Sequence, residues 1–231
     1  MTPSLILYIS LFSDLTILFP LLVCIFRWKK ITGLLKYIAA LVILFFVRNT
    51  LTICIGVFSD YNLNNLFYYN HTNAVAFYLI LAINHQLVFN QSYRKLFKLF
   101  GILFGVCVVL DVFNGTLSDL NTGLWGIYTY PASVILIILV ILLYSYDLVK
   151  GMRVFQITSY PFFWFNAGAL IFYSGSSLIH ILTSETFNQP PDIAVNYWLL
   201  EAVLAIIFNC MIAISVLYSK NTTFIKVDSQ Q

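Results

Sequence analysis

The stretch 34–57, LLKYIAALVILFFVRNTLTICIGV, is long and apolar enough to cross a bilayer, yet it carries an arginine, Arg48, well inside it. A spanning helix needs about 20 mostly apolar residues at a rise of 1.5 Å each. A guanidinium keeps its charge at any physiological pH, so inside hydrocarbon it needs a partner or water. The stretch therefore sets both the architecture and the first place to look for a site.

The rest of the chain has the same character. Of its 231 residues, 61% are hydrophobic and 9% charged, with a mean hydropathy of +0.90. Soluble domains carry about 25% charged residues, because their surface faces water. Six further apolar stretches run along the chain, at 5–26, 66–89, 96–113, 130–148, 161–182 and 197–217. The expected fold is all-α: a polytopic membrane protein with a seven-transmembrane-helix bundle over 1–219 and a short tail, 220–231.

The connections set the orientation. Arg27, Lys29, Lys30 and Lys36 flank the first, Arg94, Lys95 and Lys98 the third, and Lys150 and Arg153 the fifth, with Lys220 and Lys226 in the tail. The alternate connections hold Asp60, Asp119, Glu185 and Asp192 and no cation. Positive residues stay on the cytoplasmic side, which puts the N-terminus outside and the C-terminus in the cytoplasm. Residues 1–26 lack the basic start of a cleaved leader and read as a retained span. Trp28 and Tyr37 on the inner side, with Trp125, Tyr128, Tyr130, Tyr197 and Trp198 on the outer, suit interfacial anchoring. The net charge of +3 follows from the inner-face cations, so the expected partner is the lipid bilayer and no nucleic acid. Cys24, Cys54, Cys107 and Cys210 all fall within spans, as buried small hydrophobes.

Arg48 lies some 21 Å from the inner end of the second span, and Asp14 some 18 Å from that of the first. The two spans follow one another through a short turn, so an Asp14–Arg48 contact is expected, with Ser10 and Thr52 one turn away on each helix. Such a pair either fixes the packing of a helical hairpin or lines a cavity. Further polar residues gather in the outer half. His71, Tyr78 and His85 recur every seven residues on the third span, and Asn166, Tyr173, Ser177 and His180 form a stripe on the sixth. Glu201 and Asp111 lie near the outer ends of the seventh and fourth spans. The candidate ligand-binding set is Asp14, Arg48, His71, Tyr78, Tyr173, His180 and Glu201.

Enzyme and pigment chemistries find little here. Zinc ligands must lie within ~2 Å of one ion, and His85 sits about 21 Å deeper than His71. A three-histidine site is thereby excluded, leaving only His71, His180 and Glu201 as a set. Neither a GxSxG elbow nor a phosphate-binding glycine loop occurs. The last span has no lysine for a retinal Schiff base. No catalytic residue, metal or cofactor is expected.

Packing residues complete the pattern. Gly101 and Gly105 form a GxxxG step, suited to internal packing or to an oligomer contact, and Gly168 and Gly175 share one face of the sixth span. Pro20 should kink the first helix just below Asp14.

SYPFFWFNAGALIFYSGSSLIHIL, followed by LLEAVLAIIFNCMIAISVLY, resembles small, uncharacterised seven-helix membrane proteins of Bacteroidetes-type bacteria. Genes for such proteins accompany sensor histidine kinases. The resemblance implies a signalling setting in a bacterial inner membrane, with a kinase as partner, and assigns no functional residue. Three readings stay open: a receptor or sensor subunit for a small or lipidic ligand from the outer side, acting through a partner protein; a transporter centred on Asp14 and Arg48; and a structural or assembly subunit.

The orientation is directly testable. With the native cysteines replaced, a cysteine at Asn121 should react with an impermeant thiol reagent from outside, and one at Ser92 should not. The reverse pattern would invert the topology.

Overall fold

The computed structural model describes residues 12–58, 66–114, 128–151, 157–186 and 191–219, without the side chains of 55–58, 66–70, 179–186 and 191–198. Among these residues the chain is all-α, with no strand. Its helices are α1 Leu18–Phe26, α2 Leu35–Phe58, α3 Leu66–Leu87, α4 Gln91–Phe113, α5 Thr129–Lys150, α6 Pro161–Thr186 and α7 Pro191–Leu217. Short 3-10 turns lie at Trp28–Lys30 and Ile157–Ser159. Ser10, Asp60, Asp119, Asn121, Trp125, Arg153 and the tail lysines lie outside the described residues, as do the side chains of Glu185, Asp192, Tyr197 and Trp198.

Four helical stretches are long and apolar enough to cross a membrane by length and composition: Leu35–Cys54, Gln91–Phe113, Thr129–Lys150 and Leu199–Leu217. The helices follow the apolar stretches of the sequence and differ mainly at their ends. The fourth begins at Gln91 rather than at 96, because QSYRK continues the helix beyond the apolar core. There the Asn90 side chain caps it, accepting from the Ser92 amide at 2.9 Å. The seventh begins at Pro191, six residues before its apolar run, with a proline at the first helical position.

Contacts between Cα atoms divide the chain into two units, one of Met1–Ala39 with Ser145–Gln231 and one of Ala40–Tyr144. In the first unit α6 and α7 pack antiparallel. Gly168 faces Met211 and Gly175 faces Leu204, so closely that a Cβ on either glycine would come within 2.6 Å of its neighbour. The shared face expected for these glycines is therefore the α7 contact. Around it the Phe208 ring meets Phe165, Phe172 and Tyr173 at centroid distances of 6.4, 5.3 and 6.4 Å. Helix α1 packs on α7 as well.

The first span is broken as Pro20 requires. Residues 12–15 are helical, Thr16 and Ile17 form a turn, and α1 follows. Proline has no N–H to give the carbonyl four residues before it, and its ring crowds that carbonyl. The Thr16 carbonyl accepts instead from the Phe19 amide at 3.1 Å. After α1 Ile31 is buried and Gly33 takes a φ of +54°, a conformation that admits glycine without strain and turns the chain into α2.

In the second unit α3 and α4 form an antiparallel hairpin. Phe77 stacks on Phe104 at 3.9 Å, and the Tyr78 hydroxyl donates to the Gly101 carbonyl at 3.2 Å. Tyr78 and Leu81 seat against Gly101, and the Tyr78 hydroxyl lies 3.1 Å from where a Cβ of Gly105 would stand. The GxxxG step thus serves packing inside this hairpin. The other side of α4 shows Ile102, Leu103, Val106 and Val109 on its surface, a composition suited to hydrocarbon. Of the cysteines only Cys24 is buried; Cys107 is half-buried, and Cys54 and Cys210 are exposed on their helices, contrary to the expectation of burial. An apolar surface tolerates a thiol as readily as an apolar core does.

Asp111 has a structural task in this unit. It is fully buried near the end of α4, and its carboxylate accepts from the amides of Tyr128 at 3.2 Å and Thr129 at 2.6 Å. These are the orphan donors at the start of α5, where a helix dipole favours negative charge. Asp111→Ala should cost about 2 kcal/mol and lower the melting temperature in detergent. Asp111→Asn, which still accepts, should lose less. Native-like melting of the alanine variant would show that the cap contributes nothing.

Candidate functional site

The broken first span is tied to the last helix by hydrogen bonds that begin at the break. The Ser13 hydroxyl donates to the Ala202 carbonyl at 3.2 Å. The Thr16 hydroxyl donates to the Ser13 carbonyl at 2.6 Å and accepts from the Asn209 side-chain amide at 2.8 Å. Beyond α1 the Arg27 guanidinium donates to the Leu217 carbonyl at the end of α7. Residue numbers rise together along both helices, from Ser13 with Ala202 to Arg27 with Leu217, so the first span and α7 run parallel. Ser13 and Asn209 are buried, and Thr16 is half-buried.

This register brings two acidic residues together. Asp14 follows Ser13 and Glu201 precedes Ala202, so they lie within roughly one helical turn of a common depth. Both are half-buried. The sequence puts Glu201 near the outer end of the seventh span; the Ser13–Ala202 bond sets it at about the depth of Asp14.

Arg48 belongs to the second unit and Asp14 to the first. On α2, Arg48 donates from Nε and Nη2 to the Asn49 side-chain oxygen at 3.0 and 2.9 Å, and its guanidinium stands 5.1 Å from the centre of the Phe45 ring. An amide oxygen and a π face both solvate a cation locally. Thr52, one turn on, keeps a buried hydroxyl oxygen with no hydrogen-bond partner among the described residues.

The remaining candidates divide. His71 is exposed on α3, and Tyr78 is held against α4 as described above. Tyr173 is buried, edge-on to Phe172 and beside Phe208, within the α6–α7 aromatic cluster. The side chain of His180 lies outside the described residues. Among the described residues no three His, Cys, Asp or Glu side chains gather as metal ligands.

Sequence reading missed the roles of Ser13, Thr16 and Asn209. Their signal was a Ser–Thr pair three residues apart beside a proline, and an asparagine inside an apolar span. It also passed over Asn84. Asn84 and Asn166 are buried, and each donates to the carbonyl one turn back, on Ile80 and Phe162, at 3.0 Å. Their Oδ1 atoms are buried with no partner among the described residues. An acceptor so placed costs about 1–3 kcal/mol, and such groups in native proteins call for an explanation.

Compared with protein-family models, with curated proteins and with solved structures, the chain matches none.

A double-mutant cycle tests whether Asp14 and Arg48 act on one another. If each is the other's partner, Asp14→Asn and Arg48→Gln should each lower the melting temperature, since either leaves the other charge without its counter-charge. The double variant, with no charge to bury, should recover much of that loss. Simple additivity in thermal melting would show that the two residues are uncoupled.

Proposed function

We propose that this chain is a multi-pass protein of a bacterial inner membrane, with seven spans, an outer N-terminus and a cytoplasmic C-terminus. In this reading it is a receptor or sensor subunit that takes a small or lipidic ligand from the outer side and acts through a partner protein. Two features support the topology. The first span and α7 run side by side in the same direction, as they must when five crossings, an odd number, lie between them. Eleven of the 12 Lys and Arg, all but Arg48, fall at alternate connections and in the tail.

The observation that carries the functional reading is the seam itself. A helix interrupted inside an apolar bundle, bonded to its neighbour through Ser13, Thr16 and Asn209 with Asp14 and Glu201 at the same depth, is costly unless it serves something. The described cytoplasmic connections are short, so a signal needs a partner; the resemblance of α6 and α7 to kinase-associated membrane proteins suggests a sensor histidine kinase.

A second reading, small-molecule transport centred on Asp14 and Arg48, draws support from the break at Thr16 and Ile17. Discontinuous spanning helices form the substrate sites of many transporters.

Native mass spectrometry of the purified protein should release a bound small molecule, and Glu201→Gln should reduce its occupancy. Flux of that molecule into proteoliposomes would select the transporter. Binding without flux would select the receptor. An empty protein with neither property would leave only a structural subunit.

A further inference from the structure

The inner end of the first unit presents an unusual surface. Phe26 is 85% exposed and Trp28 62% exposed at the point where α1 passes into the 3-10 turn Trp28–Lys30. Lys29 and Lys30 are exposed on the same turn, and the first turn of α2 adds an exposed Lys36. Two large aromatic side chains held out beside two ammonium groups fit one environment well. The rings suit the ester and glycerol level of a bilayer interface, and the ammonium groups suit the phosphates just above it. Arg27, between Phe26 and Trp28, faces elsewhere: its guanidinium is committed to the Leu217 carbonyl at the end of α7. Ile31, buried behind the turn, fixes it to the protein.

We propose that the turn at residues 26–30 is a binding site for anionic phospholipid headgroups of the inner leaflet, and that lipid bound there strengthens the closure of the first helix on the last. The proposal rests on the membrane reading above. Charge complementarity selects the lipid: the turn carries Lys29 and Lys30 and no acid. The exposed rings favour a lipid over an acidic soluble protein, which would leave Phe26 and Trp28 in water. The coupling follows from the chain path. A headgroup that holds Lys29 and Lys30 also restrains Arg27 next to them, and so holds it against the C-terminal carbonyls of α7, where a cation is favoured by the helix dipole.

The test uses the full chain in nanodiscs of phosphatidylcholine alone or with phosphatidylglycerol. Phosphatidylglycerol should raise the melting temperature and stay bound in native mass spectrometry. Each lysine replaced, in Lys29→Gln and Lys30→Gln, should lower its retention about fivefold. Arg27→Gln should keep the lipid but lose the lipid-dependent rise in melting temperature. Equal melting and equal retention in both lipids, or retention unchanged in the double lysine variant, would overturn the proposal. So would lysine-dependent capture of an acidic peptide in discs that show no lipid preference. A chain that fails to enter the discs defeats the membrane reading itself, which is a different result from one that enters and ignores lipid charge.

Discussion

A backbone carbonyl inside a helix packed among apolar side chains that loses its helical donor must find another, because an unpaired acceptor there is costly. Pro20 creates that situation at Thr16, and much of the first unit follows from the way it is met. The carbonyl is satisfied by a tighter local bond from Phe19. The tightened turn leaves the Thr16 and Ser13 side chains to bond across to α7. A proline that would merely kink an isolated helix here specifies which neighbour that helix takes and in which register. The parallel alignment of first and last spans, and the common depth of Asp14 and Glu201, are consequences of that register.

The two other charges whose partners are seen crossing between helices obey one rule. Asp111 receives the first amides of α5, and Arg27 meets a last carbonyl of α7. A negative group sits at a helix start and a positive one at a helix end, each matched to the macrodipole. In a chain with few charges, these are spent on helix termini, where an apolar side chain would leave N–H or C=O groups bare. Seen this way, an acid near the end of an apolar stretch is a candidate cap before it is a candidate ligand. Asp111, first grouped with the polar residues near the span ends, is the instance.

The helices were legible because apolar length is a one-dimensional signal: seven stretches of suitable length leave little room for other assignments. Pro20 and the pair Gly168 and Gly175 were legible for the same reason, since a missing N–H and a missing Cβ act locally. Partners were not legible. Gly175 announces a close approach but not that Leu204 makes it, and Thr16 announces a hydrogen bond but not that Asn209 donates it. Tyr78 and Tyr173 were grouped with ligand-facing residues on periodicity, and the structure packs both against neighbouring helices. A seven-residue recurrence identifies a helix face without saying what that face meets. Depth was misjudged for Glu201 because counting from span ends ignores the offset between two helices.

The two contacts made by α7 differ in kind. Against α6 it presents Met211, Leu204 and Phe208 to glycines and aromatic rings at the closest approach a backbone allows. Shifting that contact means separating well-packed surfaces, and nothing waits to replace what is lost. Against the first span it adds two side-chain hydrogen bonds, from Ser13 and from Asn209, to the apolar packing of the buried Ile17, Pro20 and Cys24. Hydrogen bonds between helices in membranes average near 0.6 kcal/mol, so these two supply register more than strength. The α6 contact thus fixes how closely two backbones approach, and the first-span contact fixes register through directional bonds.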